Sequence, residues 1–218
     1  MSEHDEVFQR REQGPQPPLR GFDHVMRYWD NRCGYYAAKV LPGEFYVTRN
    51  EELIVTVLGS CVAACIHDPV LKIGGMNHFM LPHSGSEESF TFQGGASTAT
   101  RYGTHAMESL LNQLAKLGAE RDRLQIKLFG AGKILKQLSD VGKHNAEFVR
   151  EFLANESLKI AAEDLGGPHP RKVVFWAHSG RAQVKRLSRL DTGTIVHRET
   201  SYLNDLGRDQ VGGQVELF

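Results

Sequence analysis

The sequence is short of most features that would fix a function class on first reading. Cysteine occurs three times in 218 residues, at positions 33, 61 and 65. So small and odd a number argues against a secreted disulfide framework and fits a reducing compartment. Charge of one sign is missing too. The 26 Lys and Arg balance 26 Asp and Glu, whereas a nucleic-acid footprint shows as a basic excess, so no nucleic-acid partner is expected. Long hydrophobic runs are absent. The longest, Leu53 to Ile66, is interrupted by Thr56 and Ser60 and is too short to span a bilayer. The N-terminal stretch "MSEHDEVFQRREQGPQPPLRG" lacks the apolar core of a signal peptide. The expectation is a cytoplasmic chain, not membrane-inserted, long enough to bury a core without metal or disulfide staples.

What is present divides the chain into three parts. Residues 1–20 carry charge, glutamine and three prolines and read as a disordered tail. Phe22, Val25, Met26 and Trp29 then recur at i, i+3, i+4 and i+7, which predicts a short amphipathic helix. Together these make a tail over 1–36. From "GEFYVT" onward Val, Ile and aromatics cluster into strands over 44–48, 53–58, 61–67 and 73–81, with a turn at "HDP". A polar Gly/Ser-rich loop covers 83–98, and its His83, Ser84 and Ser86 could gate a cleft. Met107, Leu110, Leu111, Leu114 and Leu117 mark a helix ending at Gly118. "LQIKLFG" reads as a strand. Asn145 then caps a helix whose inner face is Phe148, Val149, Phe152 and Leu153. Three more strands follow to residue 188, and 189–218 form a polar C-terminal extension. Strands, helix, strand, helix and strands in that order give an α+β domain over 37–188.

The chemistry-bearing stretch is "TVLGSC", an apolar strand that closes on Gly59, Ser60 and Cys61. If the strands on either side of the Asp68–Pro69 turn pair as a hairpin, Cys61 at the start of one comes near His78 at the end of the other. A thiol beside an imidazole is the minimal nucleophile–base pair. An unperturbed thiol is only about 3% ionised at pH 7, and a neighbouring imidazolium makes thiolate the majority form. Gly59 and Ser60 permit a tight approach in which backbone N–H groups face an oxyanion. A buried structural cysteine with a hydrogen-bonded core histidine fits the same residues. Zinc on Cys61, Cys65, His67 and His78 is disfavoured because no CxxC or HxxxH spacing supports it, so no metal is expected. "GAGK" at 130–133 is no phosphate loop, since Lys127 stands at the first glycine position and Ile134 follows the lysine.

The segment "TVLGSCVAACIHDPVLKIGGMNHFMLP" resembles the signature of the CheD family, chemoreceptor glutamine deamidases of bacterial chemotaxis. "AAKVLPGEFYVT", "RYGTHAMESLLNQLAKLGA", "KLFGAGKIL" and "IAAEDLGGPHPRKVVFWAHSGRAQVKRL" follow in the family's order. The resemblance implies a layered α/β sandwich with mixed β-sheets, of cysteine-hydrolase type. It implies a cofactor-free enzyme that converts receptor glutamines to glutamate and also hydrolyses receptor glutamyl methyl esters. Carried over by motif, Cys61 is the nucleophile, His78 the base and Thr56 the third member. The implied partners are methyl-accepting chemotaxis receptors and a CheC-type phosphatase. The alternative function is a non-catalytic regulatory partner of receptors or of such a phosphatase.

Overall fold

The computed structural model describes residues 3–82, 98–134, 140–188 and 192–209. It contains two five-stranded mixed sheets. The first is built from β1 (Arg27–Asp30), β2 (Tyr35–Lys39), β4 (Leu53–Leu58), β9 (Arg171–Trp176) and β10 (Arg181–Arg186), in the order β1-β2-β4-β9-β10. The second holds β3 (Phe45–Thr48), β5 (Val62–Asp68), β6 (Ile73–Asn77), β7 (Gln125–Gly130) and β8 (Ile160–Leu165), in the order β3-β6-β5-β7-β8. Each sheet has one parallel pair, β2 with β4 and β7 with β8. The helix α3 (Val141–Asn155) makes the crossover between β7 and β8, as a parallel pairing requires.

The alternation of side chains explains how the layers meet. Along β4, Ile54 and Leu58 join the main core, while Leu53 and Val55 join a small cluster on the other face with Ala37 and Val174. Thr56 has the parity of Ile54 and Leu58, so it points toward the second sheet. All seven residues of β5 are buried. One side of its sheet faces the first sheet, and the other carries α2 (Thr98–Lys116) and α3. The α+β layering is thus as the sequence leads one to expect. The helix ending at Gly118 is also found, with Gly118 in the left-handed region at φ 92°.

Three local expectations are overturned. Residues 22–29 form no helix. Phe22 and Val25 are buried in turns, where Phe22 meets the rings of Phe45 and Tyr46 edge-on, while Met26 is exposed. Trp29 belongs to β1, paired with Tyr36 of β2. Sheet pairing here wins over a helical spacing only two turns long. Residues 3–12 of the expected disordered tail form α1 (Glu3–Glu12), lying on β2 with Arg10 over the Tyr35 ring and bonded to the Gly34 carbonyl. Asn145 is no cap, because α3 begins at Val141 and places Asn145 one turn inside, fully buried. His83, Ser84 and Ser86 lie outside the described residues. The C-terminal segment contributes α4 (Thr192–Asp209). Among the described residues no helix is long and apolar enough to cross a membrane.

Candidate active site

The chain leaves the first sheet at Leu58 and enters the second at Val62, and Gly59, Ser60 and Cys61 make the crossing. Each carbonyl of this corner has a fixed donor. Gly132 N–H donates to Gly59 O (2.7 Å), Asn145 Nδ2 to Ser60 O (2.8 Å) and Ala131 N–H to Cys61 O (2.7 Å). Asn145 also accepts from the Leu81 amide at 2.8 Å, so one buried side chain ties the corner to the segment that follows His78. With the carbonyls held on one side, the three N–H groups point to the other. Gly130 makes this possible: its φ is 115°, and a Cβ there would run into the Cys61 carbonyl oxygen. The "GAGK" stretch, unexplained by a phosphate-loop reading, is the clamp on this corner.

The expected hairpin brings the thiol to the imidazole. β5 and β6 pair antiparallel, with Cys65 opposite Met76, and an isolated bridge joins Val62 to Phe79 through two 2.9 Å hydrogen bonds. Cys61 and His78 each sit one step from that bridge and therefore share a face. Thr56 reaches across from β4. Its hydroxyl donates to Val40 O (2.8 Å) and lies 2.8 Å from His78 Nδ1. A hydroxyl has one hydrogen, so toward His78 it accepts, and Nδ1 carries the ring proton. Nε2 is left as a bare base, buried and without a hydrogen bond among the described residues. Thr56, Cys61 and His78 are all at most 2% exposed.

A fourth residue occupies the site, and sequence reading missed it. Glu199 of α4 is fully buried. One carboxylate oxygen accepts the Gly59 (2.7 Å) and Cys61 (3.3 Å) amides, and the other accepts the Ser60 amide (2.8 Å) and hydroxyl (2.6 Å). Three successive amides converging on one anion form a nest. The signal was in the spacing: Ile195, Glu199, Tyr202, Leu203 and Leu206 follow one face of a helix, with an acid in the middle of an apolar stripe.

These surroundings hold the pair unionised. Burial pushes the Cys61 thiol well up, and the Glu199 carboxylate adds to it. Burial pushes His78 down, against an opposing pull from Glu199. A Cys61 sulfur, a His78 ring nitrogen and a Glu199 oxygen lie within 4.8 Å of one another, which is also a ligand set for a divalent cation. The four hydrogen bonds account for the carboxylate without one. Cys65 and His67 stand outside this cluster, and the His67 ring is bonded to the Ala177 carbonyl at 2.9 Å.

Comparison with known proteins gives one answer. The family model for CheD chemotactic sensory transduction matches residues 80–186. A "probable chemoreceptor glutamine deamidase CheD" of Halorhodospira halophila is 50% identical over 200 residues, 92% of this chain and 93% of that one. Proteins of the same name from Saccharophagus degradans and Hahella chejuensis are 47% and 44% identical. The first alignment covers 93% of this chain and 94% of the relative, the second 94% and 97%. Identity at that level, sustained over nearly the full length of both partners, makes this chain a member of the CheD family.

Proposed function

We propose that this chain is a protein-glutamine glutaminase that hydrolyses glutamine side chains of chemoreceptors to glutamate in the cytoplasm. The observation that carries the reading is the Cys61–His78 pair, with Thr56 fixing the ring tautomer, in a chain half identical to named deamidases. His78 Nε2 takes the thiol proton as Cys61 sulfur attacks the carboxamide carbon. The oxyanion that forms is held by the amides of the 59–61 corner. His78 returns the proton to the departing nitrogen, ammonia leaves, and a thioester remains. A water deprotonated by His78 then splits the thioester into glutamate and free thiol. Thr56 orients without adding charge. The same route accepts a glutamyl methyl ester, with methanol as leaving group.

The test is prolonged incubation of the wild type and a Cys61→Ala variant with a receptor cytoplasmic fragment, followed by mass spectrometry. Each conversion adds about one dalton and releases one ammonia, the stoichiometry of amide hydrolysis through a covalent intermediate. Conversion by the wild type alone is expected, and equal conversion by the variant would remove Cys61 from the mechanism. Retained binding with no conversion would favour the regulatory alternative, in which a receptor or a CheC-type phosphatase is only a binding partner.

A further inference from the structure

The reaction proposed above leaves a glutamate side chain on a helix, and the site already holds one. Glu199 projects from α4 into the nest, and the helix is anchored around it on each element of the site. Arg198 Nη2 donates to Val57 O on β4 at 2.7 Å. Tyr202 Oη meets Tyr102 Oη, and the Tyr202 ring stands over Gly43, whose N–H bonds the His78 carbonyl at 2.8 Å. Ile195, Leu203 and Leu206 are buried along the same face. The carboxylate fills the space in front of the corner, since a Cβ on Gly59 would come within 2.6 Å of Glu199 Oε2. A substrate carboxamide needs the same amides and the same volume, so substrate and Glu199 exclude each other.

We propose that α4 is a built-in product mimic: Glu199 occupies the carboxylate nest of Gly59, Ser60 and Cys61, covers the Cys61–His78 pair, and keeps the chain inhibited until another helix displaces it. This rests on the reading of Cys61 as nucleophile toward a helix-borne glutamine. A catalytic role for Glu199 fits less well, because the four hydrogen bonds it accepts are those an oxyanion requires.

The full-length chain tests this without truncation. In an Ile195→Asp, Leu203→Asp double variant the buried stripe of α4 is broken, and Cys61 alkylation by iodoacetamide is followed by peptide mass spectrometry. Cys61 labelling is expected to rise at least about tenfold, as the thiol gains access, and kcat/KM on the receptor fragment to rise with it. Cys65, buried in β5, serves as the internal check and stays unlabelled. Equal labelling of Cys61 in the wild type and the variant overturns the proposal. So does faster labelling with slower deamidation, which would make α4 part of the catalytic machinery. Faster labelling with no deamidation by either chain supports occlusion and counts against the deamidase reading instead. A second variant, Glu199→Gln, keeps the helix docked and places an amide in the nest. That amide is expected to be hydrolysed in the chain with Cys61 and retained when Cys61→Ala is added. An amide that persists in a chain able to deamidate the receptor fragment overturns the mimicry.

Discussion

The Thr56 hydroxyl bonds both the Val40 carbonyl and His78 Nδ1, each at 2.8 Å, so a strand of the first sheet fixes which ring nitrogen of His78 carries the proton. Thr56→Val keeps the shape and removes the acceptor. The buried Nδ1–H then loses a hydrogen bond worth about 1–3 kcal/mol, and kcat/KM is expected to fall about 10- to 100-fold. KM should change little. Thr56→Ser restores the hydroxyl and should recover most of the rate, with the wild-type pH profile. Wild-type kcat in Thr56→Val would show that the imidazole needs no such support.

Gly59→Ala should abolish turnover and also loosen α4. Its φ is not in the left-handed region, so the backbone accepts alanine. The methyl group would stand where a carboxyl or carboxamide must sit, 2.6 Å from the present Glu199 oxygen. Steady-state deamidation at the Cys61→Ala background, with a melting temperature below wild type because the buried Glu199 carboxylate must leave its four hydrogen bonds, is the expected pair of readings.

Asn145→Ala removes two buried hydrogen bonds, to Ser60 O and from Leu81 N. Each partner left unsatisfied costs about 1–3 kcal/mol, so for a protein of this size Tm should drop on the order of 10 °C. Deamidation should weaken too at temperatures where the variant remains folded, because the Ser60 peptide is no longer held. A melt within a degree or two of wild type would mean that water replaces the amide.

Asp68 supplies a pH-dependent term. Burial alone would raise its pKa, but hydrogen bonds from Arg123 and from the Leu71 and Val70 amides outweigh burial and hold it below the usual carboxylate range. A depressed folded-state pKa contributes stability that is present above the unfolded value, about 4, and lost as pH falls through the folded one. Asp68→Asn should therefore melt below wild type at pH 7, with the gap closing as pH drops below about 4. A gap independent of pH would assign the effect to packing.

The meeting of Cys61 and His78 was legible because two local rules met there: a glycine corner ending a strand, and a hairpin turn at Asp68 whose Oδ1 bonds the amides of Val70 and Leu71. Thr56 came from the family motif, and strand alternation agrees with where it points. Glu199 was not found, since its partners lie 138 to 140 residues upstream. The helix expected from Phe22 to Trp29 failed for a related reason. A strand edge supplied by β2 and rings supplied by Phe45 and Tyr46 are remote in sequence, and they decided where those apolar side chains went.

Thr56 and Cys61 are five residues apart in the chain, yet β4 and β5 belong to different sheets. The triad proposed above is thus a caliper laid across the sandwich, with one jaw on each layer. A misplacement of about 1 Å between reacting groups can lower a rate about a hundredfold, far less movement than is needed to unfold a core. Trimming Phe175 or Met76, buried on the facing sides of the two sheets, lets the layers settle differently and opens the jaws. Catalytic rate will then report on sheet-to-sheet fit well before the quantity of folded protein does.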